Sequence, residues 1–316
     1  MRVAYHLARR LLPEHSCKFS RHDFTLAQLF ACLVLREFYG LSFRGAEALL
    51  ADSPAWLADL ELKKTPDHNT LWRAFDALLA MRHCTRMLYV LAQLFAKSRL
   101  LTLRRRRCAG GKPLAIDSTC YELRHRSRHY EQRCRHMLEH PGKWGKTVNA
   151  SRARQVRRIP KLAIAIDSGC HVILAARVHS GNRSDAPDFD HLLYHAWRRA
   201  GAKVAVVVAD AGYDSEANHC IARHDMGVRS IIACGVGRPS RKPPAGRWRR
   251  HMKKRFSRQA DQKLYAQRSQ SETAHSMMKR NMGSALRSRT PERQKKEMML
   301  RVLVHNIALL CDDMEG

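Results

Sequence analysis

The sequence lacks any apolar segment long enough to cross a bilayer. A membrane-spanning helix needs about 20 predominantly apolar residues, and no uninterrupted apolar run in the 316 residues reaches that length. The N-terminal stretch MRVAYHLARRLLPEHS has neither the apolar core nor the cleavage site of a signal peptide. We therefore expect a cytoplasmic protein without a membrane partner.

The cysteines lack the spacing of a zinc site or a disulfide framework. Ten cysteines are present, but none forms a C-x2-C pair. Two groups come nearest to a zinc pattern, yet each lacks a second half at ligand spacing: Cys134, His136 and His140, and His219, Cys220 and His224. We expect reduced cysteines that mostly pack in the interior.

Acidic residues are scarce. The chain has 28 Asp and Glu against 58 Lys and Arg, which gives a formal charge of +30 and a pI near 10.5. This excess is hard to explain by solubility alone and favours a polyanionic partner, most simply nucleic acid. The hydrophobic fraction of 45% can fill a core, and the length allows one large domain or two smaller ones.

Residues 1–103 are predicted to form an all-helical domain. The helix from Thr25 to Tyr39 has an apolar face made of Leu26, Leu29, Phe30, Leu33 and Phe38. Ser42 is predicted to cap the next helix, and Asn69 or Thr70 a later one. Short helices with tight turns fit a helix-turn-helix-like DNA-binding bundle. A bundle that only packs on the next domain or forms a dimer is an equally good interpretation.

Residues 104–316 are predicted to form the second domain, which contains three basic segments. The first is a run at the domain boundary, formed by Arg104, Arg105, Arg106 and Arg107. Residues 124–160 are predicted to be a basic arm on a phosphate backbone, with a disordered basic linker as the alternative. Residues 235–264 form a short basic insertion, where Trp248 either stacks on a flipped base or packs under arginine side chains.

The pattern between these segments alternates strands and helices. LAIDST predicts a strand with Asp117, and LAIAIDSGCHVILAARV predicts a hairpin whose turn contains Asp167. The apolar run from Val204 to Ala209 predicts a strand that ends on Asp210, followed by a helix capped by Asp214. The resulting order, βββαβαβα, is that of the ribonuclease-H-like fold, a mixed α/β sheet covered by helices.

The stretch YAQRSQSETAHSMMK is predicted to be one helix. It places Arg268, Glu272, His275 and Lys279 at intervals of three or four, with Tyr265 on the same face. One carboxylate in a basic stripe suits an acid that stays ionised beside phosphates or shares a metal ion with them. A solvated helix face with internal ion pairs is the alternative.

Asp117, Asp210 and Glu272 are predicted to meet if the first and fourth strands adjoin. Three carboxylates from two strands and one helix would form an oxygen-rich site for two Mg²⁺ ions about 3.5 to 4 Å apart. Such ions activate the attacking water or 3′-hydroxyl and stabilise the leaving oxygen. Each acid alone is weak support, because acids at strand ends often cap helices or close turns.

Several segments resemble bacterial insertion-sequence DDE transposases, chiefly insertion-sequence families four and five. The signature Y-x2-R-x3-E-x6-K is matched by Tyr265, Arg268, Glu272 and Lys279. AIDST and ADAGYDS resemble the two aspartate motifs, and SGNRSDAPDF resembles the segment after the third strand. FRGAEALLADSP and TPDHNTLWRAFDAL resemble the N-terminal domain of the family-five type.

The resemblance implies an enzyme that cleaves DNA at the ends of an insertion sequence and joins the 3′-hydroxyl ends to target DNA. Two Mg²⁺ or Mn²⁺ ions would be bound by Asp117, Asp210 and Glu272. The phosphates of the element's end would be held by Tyr265, Arg268 and Lys279, and Arg104–Arg107 are further expected DNA contacts.

The expected partner is double-stranded DNA, both terminal inverted repeats and target, in the nucleoid. Because two ends must be brought together, we expect a homodimer or a larger assembly. The alternatives are a ribonuclease-H-like nuclease without strand transfer and a catalytically silent DNA-binding regulator.

Overall fold

A computed structural model describes residues 1–19, 21–103, 111–124, 159–181, 183–201, 204–234 and 244–315. The run Arg104–Arg107, most of the predicted arm 124–160 and the start of the insertion 235–264 lie outside these residues. The predicted boundary between 103 and 104 stays a prediction.

Helices are the regular elements of the described residues before 98, while the predicted all-helical DNA-binding domain stays a prediction. The helices are α1 (Arg2–Leu11), α2 (Leu26–Phe38), α3 (Phe43–Ala51), α4 (Pro54–Asp59), α5 (His68–Leu78) and α6 (Met81–Lys97). Helix α2 packs against α1, α3 and α5, so it lies at the centre of this helical region.

Polar side chains set where these helices begin. The Ser42 hydroxyl accepts the Gly45 N–H at 3.0 Å, which confirms the predicted cap of α3. The prediction of Asn69 or Thr70 as the cap of α5 is wrong. The Asp67 carboxylate caps this helix, because it accepts the N–H groups of both residues at 2.8 and 3.0 Å.

One residue of the predicted apolar face of α2 turns outward. Leu29, Phe30 and Leu33 are buried, but Phe38 is 44% exposed. Phe38 lies twelve residues after Leu26, and at about 100° per residue it is rotated by about 120° from that position. The prediction that Phe38 faces inward is therefore wrong.

The described residues from 111 onwards form a mixed α/β structure around a five-stranded sheet, as predicted. The strands are β1 (Leu114–Cys120), β2 (Glu122–Leu123), β3 (Lys161–Asp167), β4 (Ile173–His179), β5 (Val206–Ala209), β6 (Arg229–Ile232) and β7 (Ala285–Leu286). The sheet order is β4-β3-β1-β5-β6, while β2 and β7 form a separate parallel pair. Strand β3 is antiparallel to β1 and β4, and β5 is parallel to β1 and β6.

Further α-helices accompany this sheet in the described residues. They are α7 (Phe189–Arg199), α8 (Glu216–Cys220), α9 (Arg247–Arg255), α10 (Gln259–Ala266), α11 (Ser269–Met282) and α12 (Pro291–Glu315). Helix α7 packs on β3 and β4, and α11 packs on β1 and β3. Helix α12 contacts β4 as well as α2 and α6, so it joins the sheet to the N-terminal helices.

The predicted turn at Asp167 is confirmed, whereas the predicted cap of α8 is wrong. Asp167 is fully buried at the end of β3, and its carboxylate accepts hydrogen bonds from the Thr102 N–H, the Thr102 hydroxyl and the Gly169 N–H. Its predicted turn role is confirmed. The cap of α8 is Ser215, whose hydroxyl accepts the Asn218 N–H at 3.1 Å, and not the predicted Asp214.

In the described part of the chain, no single helix is both long and apolar enough to cross a membrane. Helices α2 and α3 pass such a test only as a pair, and that pair is bent by 108°.

Candidate active-site cleft

Two predicted acids lie side by side on adjacent strands at the centre of the sheet, Asp117 within β1 and Asp210 directly after β5. Strands β1 and β5 are parallel and pair Ile116 with Ala209. Asp117 and Asp210 are the next residues after this pair, so both lie at the same edge of the sheet. The predicted adjacency of the two strands is confirmed.

The electrostatic environment of Asp117 opposes its charge. Asp117 is only 8% exposed, and burial, followed by repulsion from Asp210, raises the pKa of its carboxyl. Hydrogen bonds from the Ser118 N–H at 2.8 Å and the Ser271 hydroxyl at 3.2 Å partly offset this effect. A bound cation would relieve the repulsion between the two carboxylates.

The stretch from 265 to 279 is two helices and not the single helix predicted. Helix α10 ends at Ala266 and α11 begins at Ser269. At the junction, the Arg268 N–H donates to the Tyr265 carbonyl at 2.8 Å, a tightened i to i+3 bond. The Ser269 hydroxyl donates to the Ala266 carbonyl, so it competes with the regular helical pattern.

Despite this break, the predicted residues come together. A cleft with a volume of about 970 Å³ is lined by Asp117, Asp210, Tyr265, Arg268, Glu272 and Lys279, among others. These are all the predicted site residues that the structure describes, and they come from β1, the end of β5, α10 and the start and body of α11.

Arg268 lies between two of the acids. Its Nη2 atom is 2.7 Å from the Glu272 carboxylate, and its Nη1 atom is 3.8 Å from that of Asp117. The Glu272 side chain is 57% exposed, whereas that of Arg268 is 24% exposed. Glu272 is therefore held by a guanidinium and is free of the strong burial that Asp117 experiences.

Lys279 extends the positive side of the cleft along β1. Its Nζ atom donates to the Thr119 hydroxyl at 2.7 Å and to the Cys120 carbonyl at 3.1 Å. The same atom lies 5.4 Å from the centre of the Tyr121 ring. These contacts fix the ammonium group two to three residues along the strand from Asp117.

The acids do not form a ready metal cage. Among the residues that are described, no three His, Cys, Asp or Glu side chains are grouped closely enough to hold a metal ion. Asp117 and Asp210 supply the hard oxygen donors that Mg²⁺ and Mn²⁺ prefer, and Glu272 reaches the same cleft but pairs with Arg268. The donor chemistry fits a divalent cation, and the shared metal site stays a prediction.

His275 does not carry the positive charge that its place in the predicted basic stripe suggested. It is 5% exposed on the cleft side of α11, and burial lowers the pKa of its imidazole to about 3, so the ring is neutral at pH 7. Neither ring nitrogen has a hydrogen-bond partner within the described ranges. The predicted stripe is therefore less basic than its residue types imply.

Asp185, which contacts the cleft residue Ser118, is an acid to which the sequence pattern assigned no role. It accepts a hydrogen bond from the Ser118 hydroxyl at 2.6 Å, and the Lys161 ammonium is 2.7 Å away. A Cβ atom at Gly212 would lie 3.1 Å from Asp210 Oδ1 and 3.2 Å from Asp185 Oδ2, so both carboxylates approach this glycine. The only signal was its place in the SGNRSDAPDF loop.

Trp248 packs against arginine side chains, which is one of the two roles predicted for it. Its ring lies 4.7 Å from the guanidinium of Arg223 and 5.2 Å from that of Arg247, and its N–H donates to His224. His224 and His219 thus have different partners, since His219 bonds to Ser230. Of the eight described cysteines, only Cys32 and Cys84 are buried.

Together these features define a mixed α/β protein with carboxylates and cations around a cleft at the edge of its central parallel strands. Comparison with family profiles gave two matches: residues 109–307 match "Transposase DDE domain" and residues 5–77 match "Transposase domain (DUF772)". The chain belongs to the insertion-sequence DDE transposases. The searches among curated proteins and among solved structures found no match.

Proposed function

We propose that this protein cleaves DNA at the ends of an insertion sequence and joins the 3′-hydroxyl ends to target DNA. The observation that carries the proposal is the gathering of six residues in one cleft of a DDE-family chain: Asp117, Asp210, Tyr265, Arg268, Glu272 and Lys279. The strand order β4-β3-β1-β5-β6 supports a ribonuclease-H-like catalytic domain. In this proposal the helices before residue 98 contribute to DNA binding.

Asp117, Asp210 and Glu272 would hold the divalent cations. The chemistry that a bound pair of Mg²⁺ or Mn²⁺ ions would supply is activation of the attacking oxygen and stabilisation of the leaving 3′-oxygen. The two strand-borne carboxylates already repel each other, so cation binding is favoured there.

Arg268 switches partners in this proposal. In the absence of DNA it neutralises Glu272 and lies beside Asp117. A DNA phosphate offers its guanidinium two charged oxygens, a geometry that favours bidentate hydrogen bonds. Arg268 then binds the phosphate and releases the Glu272 carboxylate towards the other two acids.

Lys279 and Tyr265 orient the DNA beside this point. Lys279 is held near Thr119 as a fixed positive charge, which positions a phosphate at the side of β1. The Tyr265 ring lies 6.0 Å from the Arg268 guanidinium, so it restricts where that side chain can move. The active form is a dimer or a larger assembly on two DNA ends in the bacterial cytoplasm.

Replacement of Glu272 tests this assignment. The variant Glu272→Gln should lose Mg²⁺-dependent cleavage of the element's ends and still bind their DNA with similar affinity. A matched control is Glu292→Gln, which neutralises another exposed glutamate that pairs with a lysine three residues away. Full cleavage by Glu272→Gln would overturn the catalytic assignment.

The product distinguishes the proposal from a related nuclease. With a cleaved end that carries a 3′-hydroxyl and a plasmid target, we expect joined products. Hydrolysis without joined products would make the protein a nuclease. Binding without cleavage or joining would make it a regulator.

A further inference from the structure

Helix α9 presents four cations on one exposed face. Its sequence, RWRRHMKKR, contains no acid, and the exposed members are Arg247, Arg250, Lys253 and Lys254. At about 100° per residue these positions fall within a sector of roughly 120°, opposite Trp248 and the buried Met252. The face is therefore a continuous positive surface.

The inward cations of the same helix lie beside carboxylates. Arg249 forms a two-point contact with the buried Asp214 carboxylate at 3.0 and 2.8 Å. Arg255 lies 3.8 Å from the carboxylate of Asp261. Within the described ranges, none of the four outward cations has a salt bridge to a carboxylate. Like charges at this spacing destabilise a helix, so the outward face needs a different explanation from the inward one.

The protein holds this helix in a defined orientation. The Glu216 carboxylate accepts the N–H groups of Trp248 and Arg249 at 2.9 and 3.0 Å, which caps the first turn. Gly246 enters the helix with φ +94°, and a Cβ atom there would overlap the Glu216 side chain. These contacts, with the Trp248 packing, fix which side of α9 faces out.

The residues that flank the segment 235–264, which contains α9, line the cleft. Cys234 directly precedes this segment and Tyr265 directly follows it. Phe256 directly follows α9 and packs edge-on against Tyr265 with ring centres 4.8 Å apart. Burial raises the pKa of the Cys234 thiol, and the nearby positive charges of Arg249 and Lys253 partly offset that rise. The C-terminal part of α9, which carries Lys253 and Lys254, thus lies beside the rim of the cleft.

We propose that the exposed face of α9 binds the phosphate backbone of duplex DNA that runs out of the cleft. This inference rests on the proposed function, because it assumes that the cleft takes DNA. From Arg247 to Lys254 the helix rises about 10 Å, which spans roughly three phosphates of one strand. The partner is identified by charge complementarity alone, so the contact is independent of base sequence.

The test compares two full-length variants with the same charge change. The first carries Arg247→Gln, Arg250→Gln, Lys253→Gln and Lys254→Gln. The control carries Lys112→Gln, Arg183→Gln, Arg198→Gln and Arg289→Gln, all exposed positions outside the N-terminal helices, the cleft lining and α9. Each variant lowers the formal charge of +30 by four. Fluorescence anisotropy with a random-sequence duplex is measured over a range of salt concentrations.

We expect the slope of log affinity against log salt to fall by two to four units, at about 0.9 per lost contact, only in the α9 variant. Affinity at low salt should fall at least tenfold relative to the control. Equal slopes in the two variants would overturn the proposal, as would a loss for single-stranded but not duplex DNA. If thermal denaturation shows that the fourfold variant is unfolded, Arg250→Gln with Lys254→Gln should give half the slope change, and no change would overturn the proposal.

The DNA-binding measurement distinguishes a failure of this inference from a failure of the proposed function. If the wild-type protein binds duplex DNA through α9 but cleaves none, the proposed function fails and this inference holds. If cleavage requires Glu272 but the α9 variant binds like the control, only this inference fails.

Discussion

The chain contains nearly the same short pattern twice, and the fold uses the two copies for different purposes. LAIDST in β1 places Asp117 in the cleft, whereas IAIDSG in β3 places Asp167 in a turn. The strands are adjacent and antiparallel, with Asp117 opposite Ile164 and Leu114 opposite Asp167. The two aspartates are therefore three residue positions apart along the sheet, about 10 Å.

The difference lies in the partners of each carboxylate. Asp167 is completely buried and receives three hydrogen bonds, two from Thr102 and one from Gly169. Asp117 receives fewer hydrogen bonds, lies beside Asp210 and has a raised pKa. A buried carboxylate with saturated partners serves stability, while one that is buried beside a like charge needs a cation to be fully stabilised.

The largest expected effect is that of Asp117→Asn on catalysis. The variant removes a negative charge and one oxygen donor, so DNA cleavage should fall by at least about a hundredfold. The melting temperature should stay the same or rise, because the neutral side chain removes the repulsion from Asp210. Cleavage kinetics and thermal denaturation on the same sample test both statements. An active variant would mean that Asp117 is not a catalytic acid.

Asp167→Asn should produce the opposite result. In the variant, the amide NH₂ group would face N–H and O–H groups that donate to a carboxylate oxygen in the wild type. Some of these donors would lose their acceptor, so the free energy of unfolding should fall by about 2 to 3 kcal/mol. Denaturant unfolding measures the loss. Cleavage per folded molecule should stay near that of the wild type. A stable but inactive protein would reverse the assignment of the two aspartates.

The serines that follow the two aspartates, Ser118 and Ser168, are also predicted to differ in their effect on cleavage. Ser118→Ala removes the 2.6 Å hydrogen bond to Asp185, which lies beside Asp210 at Gly212. Cleavage should fall roughly three- to tenfold, the equivalent of one hydrogen bond. Steady-state cleavage at saturating DNA measures this effect, and a variant with unchanged rate would show that Asp185 does not influence the cleft.

Ser168→Ala should have the smallest effect. Its hydroxyl donates to the Pro113 carbonyl at 2.8 Å in a buried position, so the free energy of unfolding should fall by about 1 kcal/mol. Cleavage should not change. If instead Ser168→Ala lowered cleavage more than Ser118→Ala, the division of roles between the two strands would be wrong.

The strands and the positions of the acids were predictable because buried apolar runs mark the strands. Each of Asp117 and Asp210 follows a buried run, and in adjacent parallel strands such positions meet at one edge. The turn role of Asp167 was predictable as well, since Asp-Ser-Gly between two apolar runs is a hairpin signal.

Other features depend on contacts that a local pattern does not contain. The break between α10 and α11 arises from i to i+3 bonds and from serine hydroxyls that bond to the backbone. Asp185 meets Ser118 from 67 positions away, and the neutral state of His275 follows from its burial. The pairing of Glu272 with Arg268 was visible as a helical spacing, but its competition with Asp117 was not.

The most direct test of the central claim is a Mn²⁺-binding measurement by electron paramagnetic resonance on the complex with a cleaved DNA end. We expect tight Mn²⁺ binding in the wild type and its loss in Asp117→Asn, Asp210→Asn and Glu272→Gln, while Asp167→Asn binds like the wild type. Equal Mn²⁺ binding in all these proteins would contradict the claim that the three cleft carboxylates share the metal.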